Sequence, residues 1–232
     1  MAAPTIVFDL DGTLIDTAPD LVDTLNTIFA REGLAPIPYA AARSLIGGGA
    51  KAMLARGLAV EGQTPPVERL EKLFVDFIAH YSNHIADRSR PFPGLEDALD
   101  QLAALNCRLA VCTNKLEGLS VQLLKTLGLA HRFAAICGQD TFGMQKPDPR
   151  VLQRTIAAAG GDLTGAIMVG DSETDVRTAR AAGVPIVAVD FGYSPRPVAE
   201  YRPDRLIGHF KELAPTIAEF MRLPESNARP HG

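Results

Sequence analysis

Five short apolar runs, at 5–10, 108–113, 133–138, 165–170 and 185–190, each end in a small or polar residue, and helical patterns separate the later ones. An apolar run of that length without polar alternation reads as a strand buried on both faces, the habit of parallel sheets. The intervening patterns are Leu95, Leu99 and Leu102, then Leu116, Leu119, Leu123 and Leu127, then Val151, Leu152 and Ile156. Parallel neighbours require crossovers, and crossovers are right-handed. The alternation from residue 90 onward therefore predicts an α/β fold, a doubly wound parallel sheet of Rossmann-like form. A short strand at 204–207 and a helix at 210–221 would complete it, with 224–232 as a flexible tail.

The first two strands are separated by roughly a hundred residues, far more than one crossover needs. Two amphipathic patterns occupy that stretch, Leu21, Leu25, Ile28 and Phe29, then Leu70, Leu73, Phe74, Phe77 and Ile78. Breaks fall at Gly47-Gly48-Gly49 and at 62–66. Residues 17–88 are therefore expected to form an inserted α-helical cap domain, with 1–16 and 89–223 as the core domain. The turn at 91–94, Pro-Phe-Pro-Gly, marks the return.

Charge and composition remove several function classes. Net charge is −4 and Lys and Arg are nowhere concentrated, so no nucleic-acid partner is expected. Trp is absent and aromatics are 6%, which leaves little for base stacking. No apolar segment approaches the roughly 18 residues of a membrane span, and the start runs directly into a strand. The expectation is a cytoplasmic protein, monomer or homodimer, acting on a small molecule. Cys107, Cys112 and Cys137 are odd in number and irregular in spacing, as reduced core thiols would be. His80 and His84 lie one helical turn apart, but no third zinc ligand accompanies them.

In an open parallel sheet, ligands bind outside the carboxyl ends of the strands, so the polar residues just after each buried run are the ones that matter. The first run ends in Asp9-Leu10-Asp11-Gly12-Thr13. Two carboxylates beside an apolar strand lose hydration and call for a cation. Asp9, held at a strand terminus, is placed for in-line attack on phosphorus. Asp11 is placed to give and take a proton, and Gly12 frees turn amides to face phosphate oxygens. Thr113 and Asn114 after the second run suit a phosphate at the start of a helix. Lys146, in a loop constrained by Gly143 and Pro147, offers a cation. Asp171 and Asp175 follow the fourth run. Magnesium prefers oxygen donors, and Asp9, a main-chain carbonyl and Asp171 would suffice.

These residues form four motifs: Phe8-Asp9-Leu10-Asp11-Gly12-Thr13-Leu14, Val111-Cys112-Thr113-Asn114-Lys115, Lys146-Pro147, and Val169-Gly170-Asp171-Ser172-Glu173-Thr174-Asp175. The set resembles that of the haloacid-dehalogenase-like hydrolases over nearly the whole chain. The resemblance implies Asp9 as nucleophile, Asp11 as acid and base, Thr113 and Lys146 on phosphate, and Mg2+ on Asp9, the Asp11 carbonyl and Asp171. Asp175 would support Lys146 or the metal shell. Because the family's dehalogenases lack an acid where Asp11 stands, phosphoryl transfer is the implied chemistry. The cap segment Arg43-Ser44-Leu45-Ile46-Gly47-Gly48-Gly49-Ala50 looks like the specificity loop of phosphoglycolate phosphatases. Gly48 and its neighbours would close over a small phosphorylated metabolite, Arg43 would meet a carboxylate, and closure would bring Arg43 or Lys51 near the leaving group. A sugar phosphomutase, a phosphatase for another sugar phosphate, nucleotide or pyrophosphate, and a non-catalytic receiver-like module are the rival readings.

Overall fold

The computed structural model describes residues 3–222, so the tail expected at 224–232 lies outside the described residues. The chain opens with β1 (Thr5–Phe8), a two-residue strand β2 (Ile15–Asp16) and four helices, α1 (Ala18–Arg31), α2 (Tyr39–Arg43), α3 (Ala50–Val60) and α4 (Val67–Asn83). It returns through β3 (Arg90–Pro91) and continues as α5 (Leu95–Ala104), β4 (Arg108–Cys112), α6 (Glu117–Thr126), β5 (Ala135–Cys137) and α7 (Pro149–Ala158). The rest is β6 (Ala166–Gly170), α8 (Glu173–Ala182), β7 (Ile186–Val189), β8 (Arg205–Ile207) and α9 (Leu213–Arg222).

Six strands form one parallel sheet in the order β5-β4-β1-β6-β7-β8. β1 is fully buried, as the unbroken apolar reading required. Its side chains alternate between two cores: Ile6 and Phe8 join Val111, Val169 and Val187 on one face, while Val7 joins Ala110, Met168 and Ala188 on the other. The second core is completed by Val151 and Ile156 of α7 and Val176 of α8. The first extends without a break into the inserted helices.

Those helices form the cap. α4 packs against both α1 and α3, and it buries Leu73, Phe77 and Tyr81, spaced four apart so that they share one face. A short antiparallel pairing of β2 with β3, unforeseen in so brief a pair of segments, closes the base of the insertion. Asp20 on α1 pins the returning chain. Its carboxylate accepts from the backbone N–H groups of Arg88 and Ser89 and from the Ser89 hydroxyl at 2.6–3.1 Å, so a buried charge is fully hydrogen-bonded.

Candidate active site

The strand order reverses at β1, whose neighbours β4 and β6 continue away on opposite sides. Such a switch point leaves a crevice at the carboxyl ends. Asp9, Thr113 and Asp171 each stand one residue beyond one of these three strands. All three line a cleft whose opposite wall is the cap.

Lys146 reaches the cleft from the loop after β5. It is not a solvated cation but is only 3% exposed. Its Nζ lies 2.9 Å from Asp9 Oδ1 and 2.6 Å from Asp175 Oδ1. Burial alone would lower its pKa, but the carboxylates of Asp175 and Asp9 outweigh that effect and raise it, so the group stays charged. Asn114 holds this loop. Its amide donates to the Lys146 carbonyl at 3.0 Å and accepts from the Lys146 N–H at 2.9 Å. Asn114 is therefore engaged as the support of the cation, where the sequence reading aimed its side chain at phosphate. The helix expected at Thr113-Asn114 also begins later, at Glu117, because Lys115 and Leu116 complete the turn. Thr113 Oγ1 accepts the Lys115 N–H at 3.2 Å, which leaves its O–H to donate.

Asp175 has a second task besides holding Lys146. Ser172 caps α8, accepting from the Asp175 N–H, and Asp175 Oδ2 accepts in return from the Ser172 N–H and hydroxyl at 3.1 and 2.6 Å. A sequence-local capping box thus fixes a carboxylate that orients a lysine from a distant loop.

Asp171 is buried, with Oδ1 accepting from Thr13 Oγ1 at 3.1 Å and Oδ2 from the Tyr193 N–H at 2.7 Å. Two glycines let the chain pass beside it. A Cβ on Gly12 would lie 2.6 Å from Asp171 Oδ2, at φ +85°, and one on Gly192 would lie 2.2 Å from Asp171 Cβ. Carboxylate oxygens of Asp9, Asp171 and Asp175 lie within 4.8 Å of one another. Burial first, then the charges of Asp175 and Asp9, pushes the Asp171 pKa up to about 8. Burial likewise raises Asp9 to about 6, with Lys146 opposing and Asp175 adding to the shift. Crowded, buried oxygen donors with one shared ammonium among them suit a hard divalent cation. Asp175 does not line the cleft, whereas Asp9 and Asp171 do, so these two side chains could hold one.

Asp11 faces a group with no role in the sequence reading. Lys115 Nζ lies 3.0 and 3.1 Å from its two oxygens, and the Thr17 hydroxyl donates to Oδ1 at 2.8 Å. Thr17 occupies the N-cap position of α1 without capping it, so the residue that opens the first inserted helix touches the acid. Lys115 is buried, and its Nζ lies 4.5 Å from the centre of the Tyr81 ring on α4. Burial pulls its pKa down, but Asp11 and Tyr81 more than offset this and raise it.

In the cap, Gly48 lines the cleft together with Gly47 and Gly49, whereas Arg43 and Lys51 stand outside it. Arg43 Nη2 donates to the carbonyls of Phe191 and Gly192, both at 3.1 Å, with its guanidinium 4.9 Å from the Tyr193 ring centre. Loop carbonyls need donors, and α2 ends beside this loop. Arg43 therefore ties the cap to the segment that orients Asp171. Lys51 is drawn to Glu71 at 2.6 Å on the exposed side where α3 meets α4, with Nζ over the Phe74 ring. His80 and His84 stack with ring centres 4.5 Å apart, and neither lines the cleft. Tyr193 escaped sequence reading altogether. Its hydroxyl donates to Asp16 Oδ1 at 2.5 Å and accepts the Ala18 N–H at 2.9 Å, bonds that span most of the chain.

Known proteins resemble this chain in sequence and in fold. A phosphoglycolate phosphatase of Mesorhizobium japonicum is 48% identical over 219 residues, 94% of this chain and 96% of its own length. One of the same name from Caulobacter vibrioides is 46% identical over 209 residues, 90% of this chain and 88% of its own. The crystal structure of a predicted phosphoglycolate phosphatase from Haemophilus somnus matches with a TM-score of 0.85 at 26% identity, covering 92% of this chain and 97% of that one. A family model described as haloacid dehalogenase-like hydrolase matches residues 6–189, a span that takes in all the strand-end groups just described. With a family model matched over that span and a relative 48% identical over nearly its whole length, the chain belongs to the haloacid dehalogenase-like hydrolases.

Proposed function

We propose that the protein is a magnesium-dependent phosphatase that hydrolyses 2-phosphoglycolate through a phosphoryl group carried on Asp9, with residues 17–88 acting as its cap. The observation that carries this reading is the buried Asp9–Lys146–Asp175 chain of contacts at the base of the cleft, 2.9 and 2.6 Å long. Relatives named phosphoglycolate phosphatase, aligned over most of this chain, support the substrate.

Lys146 holds Asp9 Oδ1 and aims the carboxylate at the cleft. An Asp9 oxygen attacks phosphorus in line, the bond from phosphorus to the ester oxygen breaks, and Asp11 gives its proton to the departing oxygen. Lys146, the Thr113 hydroxyl and the Leu10 and Asp11 amides face the oxygens on which charge builds, because the Gly12 and Thr13 N–H groups expected there are taken by the Ile15 and Leu10 carbonyls. Asp11, now a carboxylate, takes a proton from a water that attacks phosphorus, so the Asp9–phosphorus bond breaks and inorganic phosphate leaves. Asp9, Asp171 and a main-chain carbonyl would hold Mg2+, which supplies charge neutralisation at the phosphoryl oxygens. The cap wall, with Met53 and Phe77 lining the cleft, keeps bulk water from the reacting atoms.

A panel of 2-phosphoglycolate, a hexose 1-phosphate, a nucleoside monophosphate and pyrophosphate, each assayed with MgCl2 and with EDTA, tests the reading. The highest kcat/KM is expected for 2-phosphoglycolate, with turnover lost in EDTA. Isomer formation from the hexose phosphate without free phosphate would instead mark a mutase.

A further inference from the structure

We infer that Lys115 and Tyr81 form the recognition site for a carboxylate on the substrate, placed one carbon from the leaving oxygen. The inference rests on the phosphatase reading and adds how the substrate is chosen. Lys115 and Lys146 are the two basic residues lining the cleft among the described residues. Lys146 already serves Asp9 and Asp175 at depth, so a second negative group on a substrate has Lys115 to meet. Lys115 bonds both oxygens of Asp11, the residue that delivers a proton to the leaving oxygen. In a phosphorylated hydroxy acid whose carboxylate is separated from that oxygen by one methylene carbon, the carboxylate must come to rest beside this ammonium. An ammonium has three donors, so a third N–H remains for it.

Tyr81 supplies an independent observation. It is 1% exposed, it lines the cleft, and its hydroxyl, which lies beside the Lys115 ammonium, makes no hydrogen bond of normal geometry among the described residues. A buried, unmatched hydroxyl is costly and in a binding cleft points to a ligand atom. Burial raises its pKa to about 12, with Lys115 opposing the shift, so it remains an O–H donor. The N–H of Lys115 and the O–H of Tyr81 offer a carboxylate one donor from the core and one from the cap. Tyr81 also carries the one polar side chain among the cap residues lining the cleft; Leu21, Ile46, Met53, Phe74, Phe77 and Ile78 are apolar. That wall accepts a methylene group and leaves sugar hydroxyls without partners, which disfavours sugar phosphates.

The test compares kcat/KM for 2-phosphoglycolate with that for ethyl phosphate, which keeps the ester and lacks the carboxylate, in MgCl2. The ratio cancels any general effect on Asp11 or on cap docking. Wild type should favour 2-phosphoglycolate, and Lys115→Met should reduce the ratio about 10- to 100-fold, as loss of a charged hydrogen bond implies. Tyr81→Phe, which keeps the ring and the packing, should reduce it by several-fold. A ratio unchanged in both variants, with activity falling equally on the two esters, would make the pair a brace between cap and core and overturn the inference. Wild type that turned over ethyl phosphate but not 2-phosphoglycolate would instead defeat the substrate reading itself.

Discussion

Replacing Lys146 with methionine removes the cation between Asp9 and Asp175 while keeping an unbranched chain in its place. Removing one partner of a buried ion pair costs about 3–5 kcal/mol, because the charge left behind has lost both water and partner. Here two carboxylates share the ammonium, and Asp171 lies within the same 4.8 Å cluster. The loss should therefore fall toward the upper end of that range. It also carries a pH signature. Asp9 is already raised from 3.8 to about 6 by burial with the ammonium present, and without it the pKa moves higher. A carboxyl whose folded pKa lies above its unfolded value contributes stability that is complete below the unfolded pKa and is lost as pH rises through the folded one. The gap between wild type and Lys146→Met should thus be narrower near about pH 4 than near about pH 8. Urea unfolding followed by circular dichroism, in EDTA at both pH values, measures it. Turnover in MgCl2 should fall on the order of 100- to 1000-fold, as for loss of one preorganised charge-stabilising donor. A loss under about 1 kcal/mol at the higher pH, in the range of an exposed pair, would refute the reasoning, as would a loss independent of pH.

Three further outcomes follow from neighbouring contacts. In the metal-free protein Asp171 is raised from 3.8 to about 8 by burial and by Asp175 and Asp9, so its contribution to stability declines as pH rises through that window. The increase in Tm on adding MgCl2 should then be larger near about pH 8 than near about pH 5.5 by scanning fluorimetry; the opposite trend would count against Asp171 as a ligand. Asn114→Ala strands the buried N–H and C=O of Lys146, and denaturant titration should show a loss of about 1–3 kcal/mol for each group. Its kcat should drop with Lys146 intact, and an unchanged kcat would deny Asn114 its positioning role. Gly192→Ala places a methyl 2.2 Å from Asp171 Cβ and 2.3 Å from Oδ2. Isothermal titration should find Mg2+ affinity weakened about 10- to 100-fold, the usual effect of disturbing a ligand's surroundings, and unchanged affinity would place the ion elsewhere.

The sheet was legible because its strands are buried on both faces and so appear as unbroken apolar runs, from Ile6 to Phe8 and from Ala166 to Gly170. The cap was legible from the length of the connection, and the strand-end carboxylates from the mismatch between charge and apolar surroundings. What escaped is what folding brings together from far along the chain. Thr13 bonds Asp171 across 158 positions and Tyr193 bonds Asp16 across 177, with no local pattern to announce either. Arg43 read as a substrate cation because its sequence neighbours are the cleft glycines, yet the nearest unmet need is a pair of loop carbonyls. Lys115 stood inside a recognised motif and still had no task until Asp11 and Tyr81 were seen on either side of it. Tyr81 itself, spaced with Phe77 on α4, reads as plain core; only its unmatched hydroxyl sets it apart.

The central claim is that Asp9 carries the phosphoryl group. Rapid acid quench of the enzyme turning over 2-phosphoglycolate in MgCl2, followed by reduction with tritiated borohydride, which converts an aspartyl phosphate to tritium-labelled homoserine and expels phosphate, and then by peptide mapping, tests it most directly. The label is expected on the peptide containing Asp9, and Asp9→Asn should fold normally, trap none and lose turnover. Label on another residue, or steady turnover by Asp9→Asn, would contradict the account.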